Sequence, residues 1–165
     1  MAVWNQPPLA KVYEALSAVG DGRVKLIADT SAQVVSSNGD RTYTVRWSHD
    51  GGEITSDDNA TRWQGYLGYP IIAALLLIGR LPYDPVVAER LAGVPWHDLN
   101  ARYKRNYDAA VNNVLEGLRQ RGIDADAVRA EAVRIHRALA CLGLKRLATK
   151  RTRGVNRTST KSSKL

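Results

Sequence analysis

Ser31-Ala32-Gln33-Val34-Val35-Ser36-Ser37-Asn38-Gly39-Asp40-Arg41-Thr42-Tyr43-Thr44-Val45-Arg46-Trp47 decides the fold class. Asn-Gly between two alternating apolar runs is the strongest short-range hairpin signal, because a type I′ turn needs left-handed backbone at both central positions. A two-residue turn at Asn38-Gly39 sets Val34 opposite Tyr43, Ala32 opposite Val45 and Thr30 opposite Trp47. All of these share one face, since strand side chains alternate with period two. Gln33, Thr42, Thr44 and Arg46 fall on the other face and are polar. One-sided alternation predicts an antiparallel sheet with one wet face.

The pattern extends on both sides. Residues 23–28 read as a preceding strand, and a turn at Asp50-Gly51 brings Ile54 opposite Trp47 in a short further strand. Before the sheet, Asn5-Gln6-Pro7-Pro8 reads as a helix entry, and Leu9, Val12, Leu16 and Val19 recur at helical spacing. After the sheet comes a polar connection, residues 56–65. Pro70 then opens the run Ile71–Ile78, too uniform for an amphipathic helix and too short for a bilayer, which predicts a buried central helix.

Asp84-Pro85 begins a short helix ended by Gly93. A long helix is predicted over about 96–121, with Leu99, Tyr103, Tyr107, Ala110, Val111, Val114, Leu115 and Leu118 as its stripe. Gly122 stops it and Asp124 caps a last helix, making an antiparallel helical hairpin. The expectation is an α+β fold: an antiparallel meander of three to four strands, packed on one face by helices, with a C-terminal helical hairpin and a disordered basic tail.

Charge sets the domain division. The 165 residues carry 24 Lys plus Arg against 16 Asp plus Glu, a net charge of +8. Eight of those 24 basics lie in residues 145–165, which hold no acid, leaving 16 against 16 in residues 1–144. A segment in which Ser and Thr alternate with Lys and Arg cannot bury enough surface to offset its ordering entropy. Residues 1–144 are read as one globular domain and 145–165 as a basic tail.

The same numbers narrow the function classes. One Cys excludes an internal disulfide framework and any multi-Cys metal site. No apolar stretch reaches membrane-spanning length, and Met1–Pro8 lacks a leader's basic-then-apolar layout, so a cytoplasmic protein with no membrane partner is expected. Ser163-Lys164-Leu165 matches a peroxisomal address, which has meaning only in a eukaryote.

No catalytic constellation stands out. His49, His97 and His136 lie on separate elements without metal-site spacing. Asp50, Glu53, Asp57 and Asp58 near His49 could hold a hard cation, but turns favour Asp for backbone reasons, and solvated turn carboxylates are the expectation. Cys141 beside the last helix's stripe reads as a small buried hydrophobe. Gly65-Tyr66-Leu67-Gly68 lacks a phosphate loop's ending. No cofactor and no metal are expected.

Two binding classes stay open. The first is a small nucleic-acid-binding protein, for RNA or DNA. Its contacts would be Arg102, Lys104 and Arg105 on the polar face of the long helix, and Lys145, Arg146, Lys150, Arg151, Arg153 and Arg157 in the basic stretch. Residues 85–99 resemble a helix-turn-helix layout, with Ala88, Ala92, Val94 and Leu99 as packing positions, although any two helices can pack so. Tyr43, Trp47, Trp63, Tyr66 and Tyr69, with Arg46 and Arg62 adjacent, could stack single-stranded bases. Without a single Phe, Tyr and Trp must also supply the core's aromatic volume. The alternative class is a protein-interaction or assembly module without catalytic activity.

Overall fold

The computed structural model of the chain describes residues 2–148. The expected tail with Lys150, Arg151, Arg153, Arg157 and Ser163-Lys164-Leu165 lies outside them.

The meander forms in the register that the apolar alternation requires. Strands β1 (Val24–Ala28), β2 (Ser31–Val35), β3 (Thr42–Trp47) and β4 (Glu53–Ser56) pair antiparallel in chain order. Val34 faces Tyr43, Ala32 faces Val45, Trp47 faces Ile54, and the Trp47 amide donates to Thr30 O at 3.0 Å. Ala32, Val34, Val45, Trp47 and Ile54 are buried. Gln33, Thr42 and Arg46 are exposed on the other face.

The hairpin connection is longer than a two-residue turn. Ser36 N–H donates to Arg41 O, Gly39 N–H closes a tight turn on Ser36 O, and only Gly39 (φ +79°) has left-handed backbone there. A type I′ turn would need Asn38 left-handed as well. Asn38 instead uses its side chain, whose Oδ1 accepts from Ser36 Oγ and the Asp40 amide. A four-residue loop preserves the same register.

The sheet has five strands rather than three or four. Lys145–Arg146, as β5, runs parallel to β4, with Lys145 opposite Glu53 and Arg146 opposite Ile54. The N-terminal segment fastens it: Trp4 N–H donates to Leu144 O at 2.9 Å, and Arg146 N–H donates to Ala2 O at 3.2 Å. The Trp4 indole donates to Ile54 O at 2.8 Å, and the Arg146 guanidinium lies 4.4 Å from the Trp4 ring centroid. The basic stretch thus begins inside the sheet.

Helix α2 (Tyr69–Leu77) is the expected central helix, with residues 70–76 all buried, and it packs across β1–β4. Helix α1 (Ala10–Gly20) lies behind it and is enclosed by α2, α3 (Pro85–Arg90), α5 (Tyr107–Gln120) and α6 (Ala125–Cys141). Enclosure on so many sides buries Lys11, Glu14 and Ser17 as well as the apolar stripe. Gly20 ends α1 against α3, where a Cβ would fall 2.1 Å from Ala88 O.

The long helix predicted over 96–121 is two helices. Helix α4 (Trp96–Arg102) ends in a turn in which Lys104 N–H donates to Ala101 O and Arg105 N–H to Asn100 O. This is the Schellman pattern, built with lysine where glycine usually sits: Lys104 and Arg105 have φ of 50° and 64°. Asn106 then caps α5, its Oδ1 accepting from the Ala109 amide. Of the four packing positions of the helix-turn-helix layout, Ala88 and Leu99 are buried and Val94 is partly buried. Helix α3 packs on α1, Gly93 N–H donates to Asp21 at 2.6 Å, and Ala92 is exposed rather than packed. Among the described residues no helix is long and apolar enough to cross a membrane.

Candidate functional site

A cleft of about 560 Å³ opens where α1, α4, the Ser36–Ser37 loop and the turn before α2 converge. That last turn is a π-helical segment (Ala60–Gln64) inside the polar connection of residues 56–65. Its cause is local. Asp58 is buried, accepts from the Thr61 amide at 2.9 Å and from Thr61 Oγ1 at 2.7 Å, and Thr61 Oγ1 in turn accepts from the Gly68 amide. Asp58 is therefore a structural anchor, not a solvated turn carboxylate. The turn it holds presents Trp63 at the cleft with 76% of its surface exposed.

Aromatic rings make much of the wall. Tyr43, Tyr66, Tyr69, Trp96 and Tyr107 join Trp63 around the cleft. Tyr43 and Tyr69 meet edge to face, 6.2 Å between centroids. Burial pushes the Tyr69 phenol far above its ordinary range, with Tyr43 and Glu14 adding to the effect. Burial also raises Tyr43 and Tyr66. All three are neutral hydroxyls at physiological pH.

The floor carries a buried ion pair from α1. Lys11 Nζ lies 2.9 Å from Glu14 Oε2 and 4.3 Å from the Tyr107 ring centroid. Burial lowers the Lys11 pKa, but the Glu14 carboxylate, with Tyr107 and Tyr66 adding to it, outweighs this, and the net shift is upward. Asn100 on α4 donates to Glu14 Oε1 at 2.7 Å. Glu14 Oε2 is occupied by the Lys11 ammonium and shut off from solvent. The rim is fixed by the His97 amide donating to Ser37 Oγ at 2.9 Å, and behind it the Trp96 indole donates to Ser17 Oγ at 2.8 Å. Arg105 reaches the cleft from the left-handed turn after α4. Neutral hydroxyl donors, a guanidinium and a buried ammonium–carboxylate pair thus surround an aromatic-walled space.

A family model described as uncharacterised conserved protein UCP014422 matches residues 4–145. The chain belongs to that family. The matched span holds every element from the Trp4 anchor to the first residue of β5, and so the whole cleft. No curated protein and no solved structure matches the chain.

The predicted contact residues are dispersed. Arg102 ends α4, exposed; Lys104 and Arg105 follow in the left-handed turn, so they share no helical face with it. Only Arg105 of these lines the cleft. Lys145 and Arg146 lie in β5. Of the aromatic set, Tyr43, Trp63, Tyr66 and Tyr69 come together at the cleft, whereas Trp47 is in the core. His136 Nε2 lies 2.7 Å from Pro7 O, His49 is exposed, and no group of three or more His, Cys, Asp or Glu among the described residues is placed to hold a metal. Cys141 is exposed at the end of α6, not buried as its neighbours suggested.

Sequence reading missed Lys11 and Glu14. Lys11 and Glu14 are three apart on a helix whose apolar stripe draws attention elsewhere. A helix enclosed by α2, α3, α5 and α6 has no wet face, which periodicity on α1 alone does not show.

Proposed function

We propose that the protein binds single-stranded nucleic acid, with the aromatic cleft receiving a base and neighbouring cations holding phosphates. What carries this reading is the meeting of Trp63, Tyr66 and Tyr107 with Arg105 around one cleft. Stacking on aromatic rings beside a guanidinium is the physical basis of single-strand binding. Arg102 and Lys104 adjoin Arg105 on the exposed side and would follow the backbone. Lys145, Arg146, Lys150, Arg151, Arg153 and Arg157 would add sequence-blind attraction. The cleft's walls are rings and short loops, which suits a splayed-out base better than a duplex groove. The setting would be the cytoplasm.

Fluorescence anisotropy with a labelled single strand and a labelled duplex, across a salt series, tests the reading. The single strand should bind more tightly, and log affinity should fall linearly with log salt. Ending the chain after Ala148 should flatten that slope. Replacing Arg102 and Arg105 by Ala should weaken what binding remains. No binding at low salt, where charge contacts are strongest, overturns the reading.

One observation favours a protein-interaction module instead. Strand β1 forms an edge of the sheet, Leu26 and Ile27 on it are about half exposed, and Leu26 lies beside Leu77. An apolar edge of that kind suits strand addition by a partner. The bulge between Leu26 and Ala28 disrupts the edge ladder and weighs against it. Light scattering and the anisotropy series together separate the two readings.

A further inference from the structure

Resting on the single-strand reading above, we propose a second subsite beside the cleft, in which Arg146, held over the Trp4 ring, binds a phosphate of the flanking nucleotides, so that the strand leaves the cleft past Gly65 toward β5. Gln64 and Tyr66 line the cleft, and Gly65 lies between them. The N-terminal segment runs alongside that turn. Asn5 N–H donates to Gly65 O at 3.2 Å, and Leu67 N–H donates to Asn5 O at 3.3 Å. The Arg146 guanidinium reaches the same turn, since a Cβ on Gly65 would lie 3.1 Å from its Nη2. The cleft wall and the start of the basic stretch therefore meet at one glycine.

The two cations of β5 point to opposite faces of the sheet, because strand side chains alternate. Lys145 stands opposite the acidic Glu53, whereas Arg146 stands opposite Ile54, which is buried on the helix-bearing face. Arg146 is thereby on the side of the sheet that carries the cleft, and it is exposed. Its guanidinium lies 4.4 Å from the Trp4 ring centroid and forms no ion pair among the described residues. A guanidinium over an indole keeps its N–H edges free for the two oxygens of a phosphate. The indole is itself fixed, its N–H donating to Ile54 O at 2.8 Å. A side chain held in this way loses less freedom when the phosphate arrives, which is the advantage of preorganisation.

The test uses the full chain, a labelled octauridine across a salt series, and free uridine. Arg146→Gln should weaken octauridine binding about tenfold at low salt, the scale of a hydrogen bond to a charged group. The magnitude of its salt slope should fall by about 0.7, the share of one phosphate on a single strand. Uridine has no phosphate and fills the cleft alone, so its affinity, read as quenching of tryptophan fluorescence, should be unchanged. Arg146→Lys keeps the charge without the fork, and should hold the slope while losing part of the affinity. Trp4→Phe should keep the clamp and Trp4→Leu should lose it; both give up the same indole hydrogen bond, so the difference between them reads the ring. An unchanged slope in Arg146→Gln, or uridine affinity lost along with that of octauridine, overturns the subsite and leaves the single-strand reading standing. If Arg146→Gln does not fold, the Trp4 pair decides, and equal octauridine affinities overturn the subsite. No binding of octauridine by the unaltered chain overturns both.

Discussion

A Cβ on Gly68 would lie 2.2 Å from Asp58 Oδ1, closer than any carbon and oxygen can approach. Gly68 has ordinary extended backbone (φ −68°, ψ 162°), so the requirement for glycine is steric rather than conformational. Asp58 must stand there because it holds Thr61 and, through it, the amide of Gly68 itself. The turn that presents Trp63 and the start of α2 are therefore locked by one absent side chain.

Gly68→Ala should displace Asp58, leave a buried carboxylate poorly satisfied and destabilise the fold by about 2–3 kcal/mol, the scale of an overpacked core. Urea unfolding at unchanged slope measures it. A change within the error of the midpoint would show that the Asp58 turn yields freely.

Lys104→Gly has the opposite sign. Lys104 is the left-handed residue of the α4 C-cap, and its β-carbon costs about 1 kcal/mol there. Glycine should stabilise the fold by roughly that amount, less what it gains in unfolded-state freedom. Lys104→Ala, which keeps the β-carbon, should not. Equal effects of the two substitutions would locate any gain in charge rather than backbone.

These two positions also mark what the sequence made legible. The β2–β3 register follows from Val34, Val45 and Trp47 alternating with polar residues, because a slip of one residue would expose all three. The α2 run is self-evident for the same reason: nothing in 71–76 tolerates water. The break at Lys104-Arg105 is not legible from periodicity, because the apolar spacing continues through it and neither residue favours left-handed backbone. Asn106 followed by Asp108 was the available cue, a capping residue and a first-turn acid. The turn type after Val35 was misjudged because Asn38 satisfies Ser36 and Asp40 with its side chain instead of adopting a positive φ. The cleft assembles from α1, α4 and three loops distant in sequence, so no local spacing encodes it.

Alkaline pH should unfold the protein, and the sign is set by proton affinity. Tyr13, Tyr43, Tyr66 and Tyr69 are raised above the ordinary tyrosine value of 10.0 chiefly by burial, and Lys11 is raised above 10.5 because Glu14, with Tyr107 and Tyr66, outweighs its burial. In each case the folded state holds its proton more tightly than the unfolded chain. Stability from these groups is complete below about pH 10 and is lost as pH rises through their folded values. Phenolate absorbance from Tyr13, Tyr43, Tyr66 and Tyr69 should rise together with loss of helix signal. A single reversible stage with the helix signal intact would contradict the burial of Tyr69.

Trp63→Ala separates binding from folding. The side chain is 76% exposed on a turn whose anchors are Asp58 and Thr61, so its removal deletes little packing. Stability should change by no more than about 0.5 kcal/mol, as for other surface substitutions. Affinity for a short oligouridine should nonetheless drop by about tenfold, the lower part of the range for loss of one base–aromatic stack. The salt slope should stay the same, because no phosphate contact is removed. Intrinsic fluorescence offers an independent check. Trp4 and Trp47 lie outside the cleft, and Trp96, though in its wall, is buried, so most of the quenching by ligand should come from the exposed Trp63 and be lost with it. Undiminished affinity together with undiminished quenching would place the ligand away from the Trp63 wall and remove the observation on which the single-strand reading stands.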